Sequence, residues 1–131
     1  MTTTLRRFEP TLLPERFAVS QLAAEAAIPE WACFSVTRTS DELSVVCEQS
    51  RVPAAVPSQP AWSVLKVRRP FAWNEVAVLT ALASPLAKAK LSLCTISTFD
   101  TDYPLVASET LSAVGRALEL ARHKIHRSET E

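Results

Sequence analysis

The sequence predicts an α+β protein made of two tandem ferredoxin-like units of the βαββαβ type, with antiparallel sheets backed by helices. Short runs of alternating polarity predict strands, and apolar stripes at helical spacing predict helices. When the chain is shifted by 60 residues, Ser35–Val46 lies over Thr95–Val106, and each segment is typical of a strand, an acidic tip and a second strand. Because the chain has only 131 residues, we expect the first copy to have degenerate helices.

The first copy is predicted to follow an N-terminal arm, residues 1–14, and to occupy residues 15–60. Its predicted strands are Arg16–Leu22, Cys33–Arg38 and Leu43–Glu48. Between the first two, Ala23–Ala32 has room for a turn or two of helix, because Pro29 blocks a longer one. Three prolines within Arg51–Pro60 predict an irregular linker.

The second copy, residues 61–131, carries the stronger signals. Its predicted strands are Trp62–Arg68, Leu91–Phe99, Tyr103–Ala107 and a short Lys124–Arg127. Asn74 is a good helix N-cap, with Glu75 in the first turn, and Pro85 predicts a bend because it removes the hydrogen bond to Ala81. Ser108 is the predicted cap of the second helix. The apolar stripe of that helix comprises Leu111, Val114, Leu118, Ala121 and Ile125.

Composition excludes several classes of function. The chain has 14 basic and 14 acidic residues and a formal net charge of zero, so no single-sign field attracts nucleic acid or an anionic membrane. No apolar run approaches the roughly 20 residues of a membrane span, and the N-terminal segment lacks the apolar core of a secretory signal. The odd number of cysteines, none in a CxxC pair, predicts buried free thiols and a cytoplasmic location. These cysteines are Cys33, Cys47 and Cys94.

No catalytic, metal or cofactor signature is present in the sequence. His123 and His126, the only histidines, are expected to titrate in solvent and have no third metal ligand nearby. No glycine-rich phosphate loop occurs. The one close carboxylate pair, Asp100 and Asp102, either satisfies the backbone of its own turn or contacts a cationic amine. We therefore predict that the protein is not an enzyme.

One set of residues fits a binding site for a zwitterionic amino acid. Backbone N–H groups around Asn74–Val76, at a helix start, are suited to a carboxylate. In a ferredoxin-like unit, the neighbouring strand pair presents polar groups suited to an ammonium group. These groups belong to Ser97, Thr98, Asp100 or Asp102.

Residues 61–121 resemble the ACT domains of small proteins related to the CASTOR arginine sensors and to the regulatory part of aspartate kinases. The most specific segment is ISTFDTDYPLV (Ile96–Val106), in which a strand ending in isoleucine, serine and threonine precedes an aspartate-bearing turn. The other segments that carry the resemblance are Glu42–Pro53, Ala61–Val67, Ala83–Lys90 and Ala117–Lys124. The family often has glycine near Ala77 and before the second strand, where this chain has Lys90.

The resemblance implies a duplicated ACT-like architecture, no catalysis by the module, and a small amino acid bound at an interface between ACT units. It also implies a homo-oligomer or a regulated partner protein. The contacts implied by position are Asn74, Glu75, Val76, Ile96, Ser97, Thr98, Asp100 and Asp102. The alternative is a ligand-free structural, dimerisation or protein-interaction module with the same fold. Ala77 and the apolar Trp62, Phe71 and Trp73 favour this alternative.

Overall fold

The computed structural model describes residues 9–68 and 75–127, apart from the side chains of residues 75–78. The described elements are β1 (Thr11–Leu22), β2 (Ser35–Arg38), β3 (Leu43–Glu48), β4 (Ser58–Arg68), α1 (Glu75–Lys88), β5 (Cys94–Ser97), β6 (Thr101–Ala107), α2 (Leu111–Leu120) and β7 (His126–Arg127). Single 3₁₀ turns occur at Gln49–Arg51 and Ser108–Thr110. The predicted α+β fold, with antiparallel strand pairs and helices, is confirmed.

The described residues form two compact units. The first unit is Glu15–Trp62, and the second unit contains residues 9–14 and 63–127. Strand β1 begins at Thr11, so the prediction that residues 11–14 belong to an N-terminal arm is wrong. The side chain of Leu12 is 6% exposed and packs in the core of the second unit, which anchors this segment.

The first unit is a sheet covered by a loop. Its strand order is β2-β3-β1-β4, with β3 antiparallel to both β2 and β1. Its core consists of Leu43, Val45 and Cys47, which are each 0% exposed. Residues 23–34 contain turns but no helix, and their side chains, including Trp31 and Cys33, pack against this core. The degenerate helix expected at Ala23–Ala32 is therefore replaced by a packed loop.

The second unit has the two described helices. Its strand order is β1-β4-β6-β5, and β7 is parallel to β1, pairing Thr11 with His126. Its core contains apolar side chains from strands and helices. The buried members are Leu12, Leu65, Val67, Leu82, Leu86, Val106, Val114, Ala117 and Leu118. Burial of these side chains against the sheet stabilises α1 and α2 by roughly 1.5–3 kcal/mol for each large residue.

The register of strand pairing gives the number of residues that separates corresponding positions in the two hairpins. In β2–β3, Ser35 pairs with Val46, and in β5–β6, Cys94 pairs with Leu105. Adding 59 to both numbers of the first pair gives both numbers of the second. The predicted shift of 60 residues is thus one residue too long, and a one-residue change in register moves every side chain to the other face of a sheet.

Both helices end in the same way although neither has a glycine at its end. After α1, the N–H of Leu91 donates to the carbonyl of Leu86, and Lys90 between them has φ 61°. After α2, the N–H of His123 donates to the carbonyl of Leu118, and Arg122 has φ 72°. These are Schellman caps with a left-handed residue that is usually glycine. Lys90 therefore occupies the left-handed position of a helix cap.

The second helix is shorter than its apolar stripe. It ends at Leu120, yet Ile125 still packs against the core because the chain turns back after Arg122. Ser108, the predicted cap, instead begins a 3₁₀ turn, and its Oγ lies 2.8 Å from the Oγ of Ser63. No side chain caps α2 at Thr110.

Candidate functional site

The turn of the second hairpin is closed by a threonine. The backbone N–H and the Oγ1 hydroxyl of Thr98 both donate to the carbonyl of Thr101, at 2.8 Å and 3.2 Å. Thr39, its counterpart 59 residues earlier, donates in the same way to the carbonyl of Glu42, at 2.9 Å and 3.4 Å. In each hairpin a threonine thus closes the turn.

Asp100 lies at the exposed tip of this turn. Its Oδ1 accepts a hydrogen bond of 2.9 Å from the Oγ1 of Thr101, which is itself only 3% exposed. Thr101 was not among the predicted site residues, although its position between Asp100 and Asp102 in the sequence was a signal. Phe99 beside them is fully exposed. The tip thus presents a carboxylate that a buried threonine holds in place.

Asp102 is the buried member of the carboxylate pair. It is 0% exposed, and its Oδ1 accepts a hydrogen bond of 2.6 Å from the Oγ of Ser97. The two residues form the last pair of the β5–β6 ladder. The structure therefore brings Ser97 and Asp102 together, next to the turn that holds Thr98 and Asp100.

A buried carboxylate at this position is not required by the hairpin. The residue that corresponds to Asp102 in the first hairpin is Leu43, which is also 0% exposed. Removing a carboxylate from water costs several kcal/mol, whereas burying a leucine is favourable. The same backbone position thus tolerates an apolar side chain, and Asp102 is the energetically expensive choice.

The other predicted site residues lie at the start of α1 and on β5. Glu75 and Val76 are the first residues of α1, where backbone N–H groups have no partner within the helix. Asn74 lies outside the described residues. Ile96 is half-buried on β5 and pairs with Tyr103 of β6.

The two histidines have different environments. His123 is 4% exposed and forms a hydrogen bond to the backbone of Ala81, so the prediction that it titrates in solvent is wrong. Burial lowers the pKa of His123, partly offset by that hydrogen bond. His126 is exposed, with its Nε2 2.7 Å from the Oε1 of Glu9. Among the described residues, no group of three or more His, Cys, Asp or Glu side chains is arranged to hold a metal ion.

The three cysteines are free, but they are not all buried. Cys47 is fully buried, Cys33 is partly buried and Cys94 is exposed, which corrects the prediction of a buried thiol at Cys94. In the part of the chain that the structure describes, no helix combines the length and apolar character needed to cross a membrane.

Comparison with known structures identifies close and distant relatives. The chain is similar to protein Atu0741 from Agobacterium tumefaciens, with 35% identity, a TM-score of 0.87, and coverage of 96% of this chain and 97% of that one. It is also similar to a Vibrio cholerae protein of unknown function, VC0802, described as a possible transport protein. That match has 19% identity, a TM-score of 0.74, and coverage of 89% and 91%. No protein with a curated description matches the sequence.

Regulatory domains share the fold at much lower identity. The regulatory subunit of aspartate kinase from Thermus thermophilus, in its ligand-free form, aligns with 9% identity and a TM-score of 0.61, over 88% of this chain and 98% of that one. Residues 15–55 match a family model that describes an N-terminal domain, and residues 58–119 match the model of an ACT domain. Together with the fold, these matches show that the chain belongs to the ACT domain family.

Proposed function

We propose that this chain is a non-enzymatic regulatory protein of the ACT type that binds a small amino acid in the cytoplasm. It acts as a homo-oligomer or on a partner protein. The observation that supports this proposal best is the buried Asp102, hydrogen-bonded by Ser97 at 2.6 Å, at a position where the first hairpin has Leu43. A buried carboxylate that is ordered by a serine hydroxyl is suited to hold the ammonium group of an amino acid.

In this proposal each end of the ligand meets a complementary group. The ammonium group is held near Asp102 and Ser97, with Asp100 and Thr98 at the outer edge. Charge-assisted hydrogen bonds of this kind are about twice as strong as neutral ones. The carboxylate of the ligand takes the backbone N–H groups of Asn74, Glu75 and Val76 at the start of α1, and Ile96 contacts the apolar part of the ligand.

The proposal is tested by isothermal titration of the wild type against each of the twenty amino acids. We expect heat with at least one of them, and at least roughly 30-fold weaker binding after Asp102→Leu, because a buried charge pair is lost. Asp102→Leu copies the residue that the first hairpin already buries, so the variant is expected to fold.

The matched control is Asp41→Asn in the first hairpin. Asp41 corresponds to Asp100 and is exposed, and its backbone N–H donates to the Oγ1 of Thr39. This substitution should leave the affinity unchanged. If none of the twenty amino acids gives heat with the wild type, or if Asp102→Leu binds as tightly as the wild type, the proposal is wrong.

The alternative function is a ligand-free interaction module with the same fold. Large apolar side chains that are exposed at the surface favour it, namely Ile28 at 58% and Leu120 at 87% exposure. Sedimentation velocity with and without amino acids separates the two functions. A sensor changes its assembly when the ligand is added, whereas an interaction module assembles to the same extent in both conditions.

A further inference from the structure

Two cysteines of the first unit, Cys33 and Cys47, lie near the same end of the β2–β3 pair. Because Ser35 pairs with Val46, Cys33 and Cys47 lie on neighbouring segments near the same end of this ladder. Cys47 belongs to the apolar core of the unit, and Cys33 packs against that core. The thiol of Cys33 also raises the pKa of Cys47, an effect that only nearby groups exert. The two cysteines are therefore already neighbours in the reduced protein.

The surroundings give the two thiols unequal reactivity. Cys33 is partly exposed, whereas Cys47 is 0% exposed. Burial raises the pKa of Cys47 to about 11, the neighbouring Cys33 adds to this effect, and Arg51 opposes it while Glu48 adds slightly. At neutral pH the Cys47 side chain is thus a neutral thiol, and Cys33 is the one that an oxidant reaches first.

The backbone beside Cys33 has an uncommon conformation. Phe34 has φ 72°, a left-handed conformation that a bulky residue rarely adopts. Its ring packs against that of Phe17 at a centroid distance of 5.1 Å, and the N–H of Ser35 donates to the carbonyl of Cys33 at 2.9 Å. These contacts turn the chain at Phe34 and hold Cys33 against β3.

We propose that Cys33 and Cys47 form a reversible dithiol–disulfide couple that responds to peroxides. The Cys33 thiolate attacks one oxygen of hydrogen peroxide and the O–O bond breaks, which leaves a sulfenic acid at Cys33 and a hydroxide. The hydroxide takes up the proton that the Cys33 thiol released on ionising and becomes one water. The sulfur of the Cys47 thiol then attacks the sulfenic sulfur, the S–O bond breaks, and the departing hydroxide takes the Cys47 thiol proton and leaves as a second water. Two thiols are oxidised to one disulfide while one peroxide is reduced to two waters.

The disulfide would fix the loop that covers the first unit. Residues 23–34 take the place of a helix over the core of Leu43, Val45 and Cys47. A bond from Cys33 to Cys47 ties the end of this loop to β3 and closes a short ring of chain. Such a ring restricts the unfolded state, so we expect oxidation to raise the Tm by roughly 5–10 °C.

The test uses the full chain carrying Cys94→Ser, which removes the exposed thiol and prevents disulfides between chains. The protein is treated with hydrogen peroxide, denatured, alkylated and weighed by mass spectrometry. We expect a mass decrease of about 2 Da and no alkylated cysteine, reversed by dithiothreitol. Peptide mapping should then identify one peptide pair joined through Cys33 and Cys47.

The matched control is the same variant with Cys33→Ser added. It retains Cys47 and should stay fully alkylatable after mild peroxide treatment, because the buried thiol reacts slowly alone. The proposal is overturned if both thiols of the Cys94→Ser protein remain alkylatable after peroxide. It is also overturned if oxidation stops at a sulfinic acid on Cys33 without a disulfide, since adjacent thiols should condense faster than further oxidation.

Discussion

At the scale of single residues, Asp102 and Leu43 show that corresponding buried positions of the two hairpins carry a charged and an apolar side chain. They occupy corresponding positions in two hairpins with the same register, and both are 0% exposed. Their surroundings differ, because Leu43 packs with Val45 and Cys47 while Asp102 accepts a hydrogen bond from Ser97. The cost of each side chain in the place of the other is therefore expected to be unequal.

We predict that Asp102→Leu leaves the free energy of unfolding unchanged or raises it by about 1–2 kcal/mol, since an apolar residue often replaces a buried charge without loss. The opposite change, Leu43→Asp, should lower the free energy of unfolding more than Leu43→Ala does. Leu43→Ala by itself is expected to lower it by about 2–5 kcal/mol. Urea unfolding followed by circular dichroism measures all three. A loss of several kcal/mol in Asp102→Leu would show that the carboxylate has a structural role.

At the scale of elements, α1 lacks one internal hydrogen bond, and a side chain from another segment replaces it. Pro85 lies inside the helix and has no N–H to donate to the carbonyl of Ala81, four residues earlier. His123, which follows α2, forms a hydrogen bond to the backbone of Ala81. The side chain of one segment thus supplies the hydrogen bond that proline removes from another, and this explains why a histidine is buried there.

This pairing predicts non-additive substitutions. His123→Leu should cost about 1–3 kcal/mol in the wild type, because the Ala81 carbonyl loses its donor in the protein interior. In a Pro85→Ala background the cost should be smaller by about 1 kcal/mol, since the substituted alanine has an N–H that donates to the same carbonyl. Urea unfolding of the two single variants and the double variant measures this coupling. Additivity within about 0.5 kcal/mol would contradict it.

At the scale of the whole molecule, the buried histidine makes stability depend on pH. Burial lowers the pKa of His123 in the folded state below its value in the unfolded chain. The unfolded state therefore binds more protons once the pH falls below about 6.5, and stability is lost as the pH falls from there through the folded pKa. Above the unfolded pKa the contribution is complete.

We predict that the free energy of unfolding decreases by up to about 1.4 kcal/mol per pH unit in that window. His123→Gln should flatten this part of the profile. Urea unfolding between about pH 4.5 and 8, at roughly half-unit steps, measures the slope. An unchanged slope in His123→Gln would assign the pH dependence to other groups.

Sequence patterns predicted strands and turns that depend on neighbouring residues. They failed for features that depend on contacts between residues far apart in the chain. The bounds of β3 agree with the prediction because Leu43–Glu48 combines β-branched residues with a clear turn before it. Strands β1 and β4 begin earlier than predicted, because Pro14 and Pro60 each lie within a strand, where proline is uncommon. Only pairing with other strands shows that these prolines are tolerated.

The candidate site shows the same limit. The hairpin and its acidic tip were predictable from the sequence, because Thr98–Asp102 lies between two strand-forming runs. The separate environments of Asp100 and Asp102 were not, because alternation places residues two apart on the same face of a strand, whereas Asp100 lies in the turn and Asp102 lies in β6. The burial of His123 depends on the carbonyl of Ala81, which lies far earlier in the chain, and no local pattern contains that contact.

The division of β1 between the two units has a consequence for biosynthesis. Residues 9–14 belong to the second unit, whose other residues follow the whole of the first. The segment is synthesised before the first unit, but Thr11 pairs with His126, which is synthesised after that unit. The first unit is contiguous and has all of its chain available sooner. Until the residues of the second unit that follow the first have been made, Leu12 has no complete core to enter, so the nascent chain exposes this short strand segment.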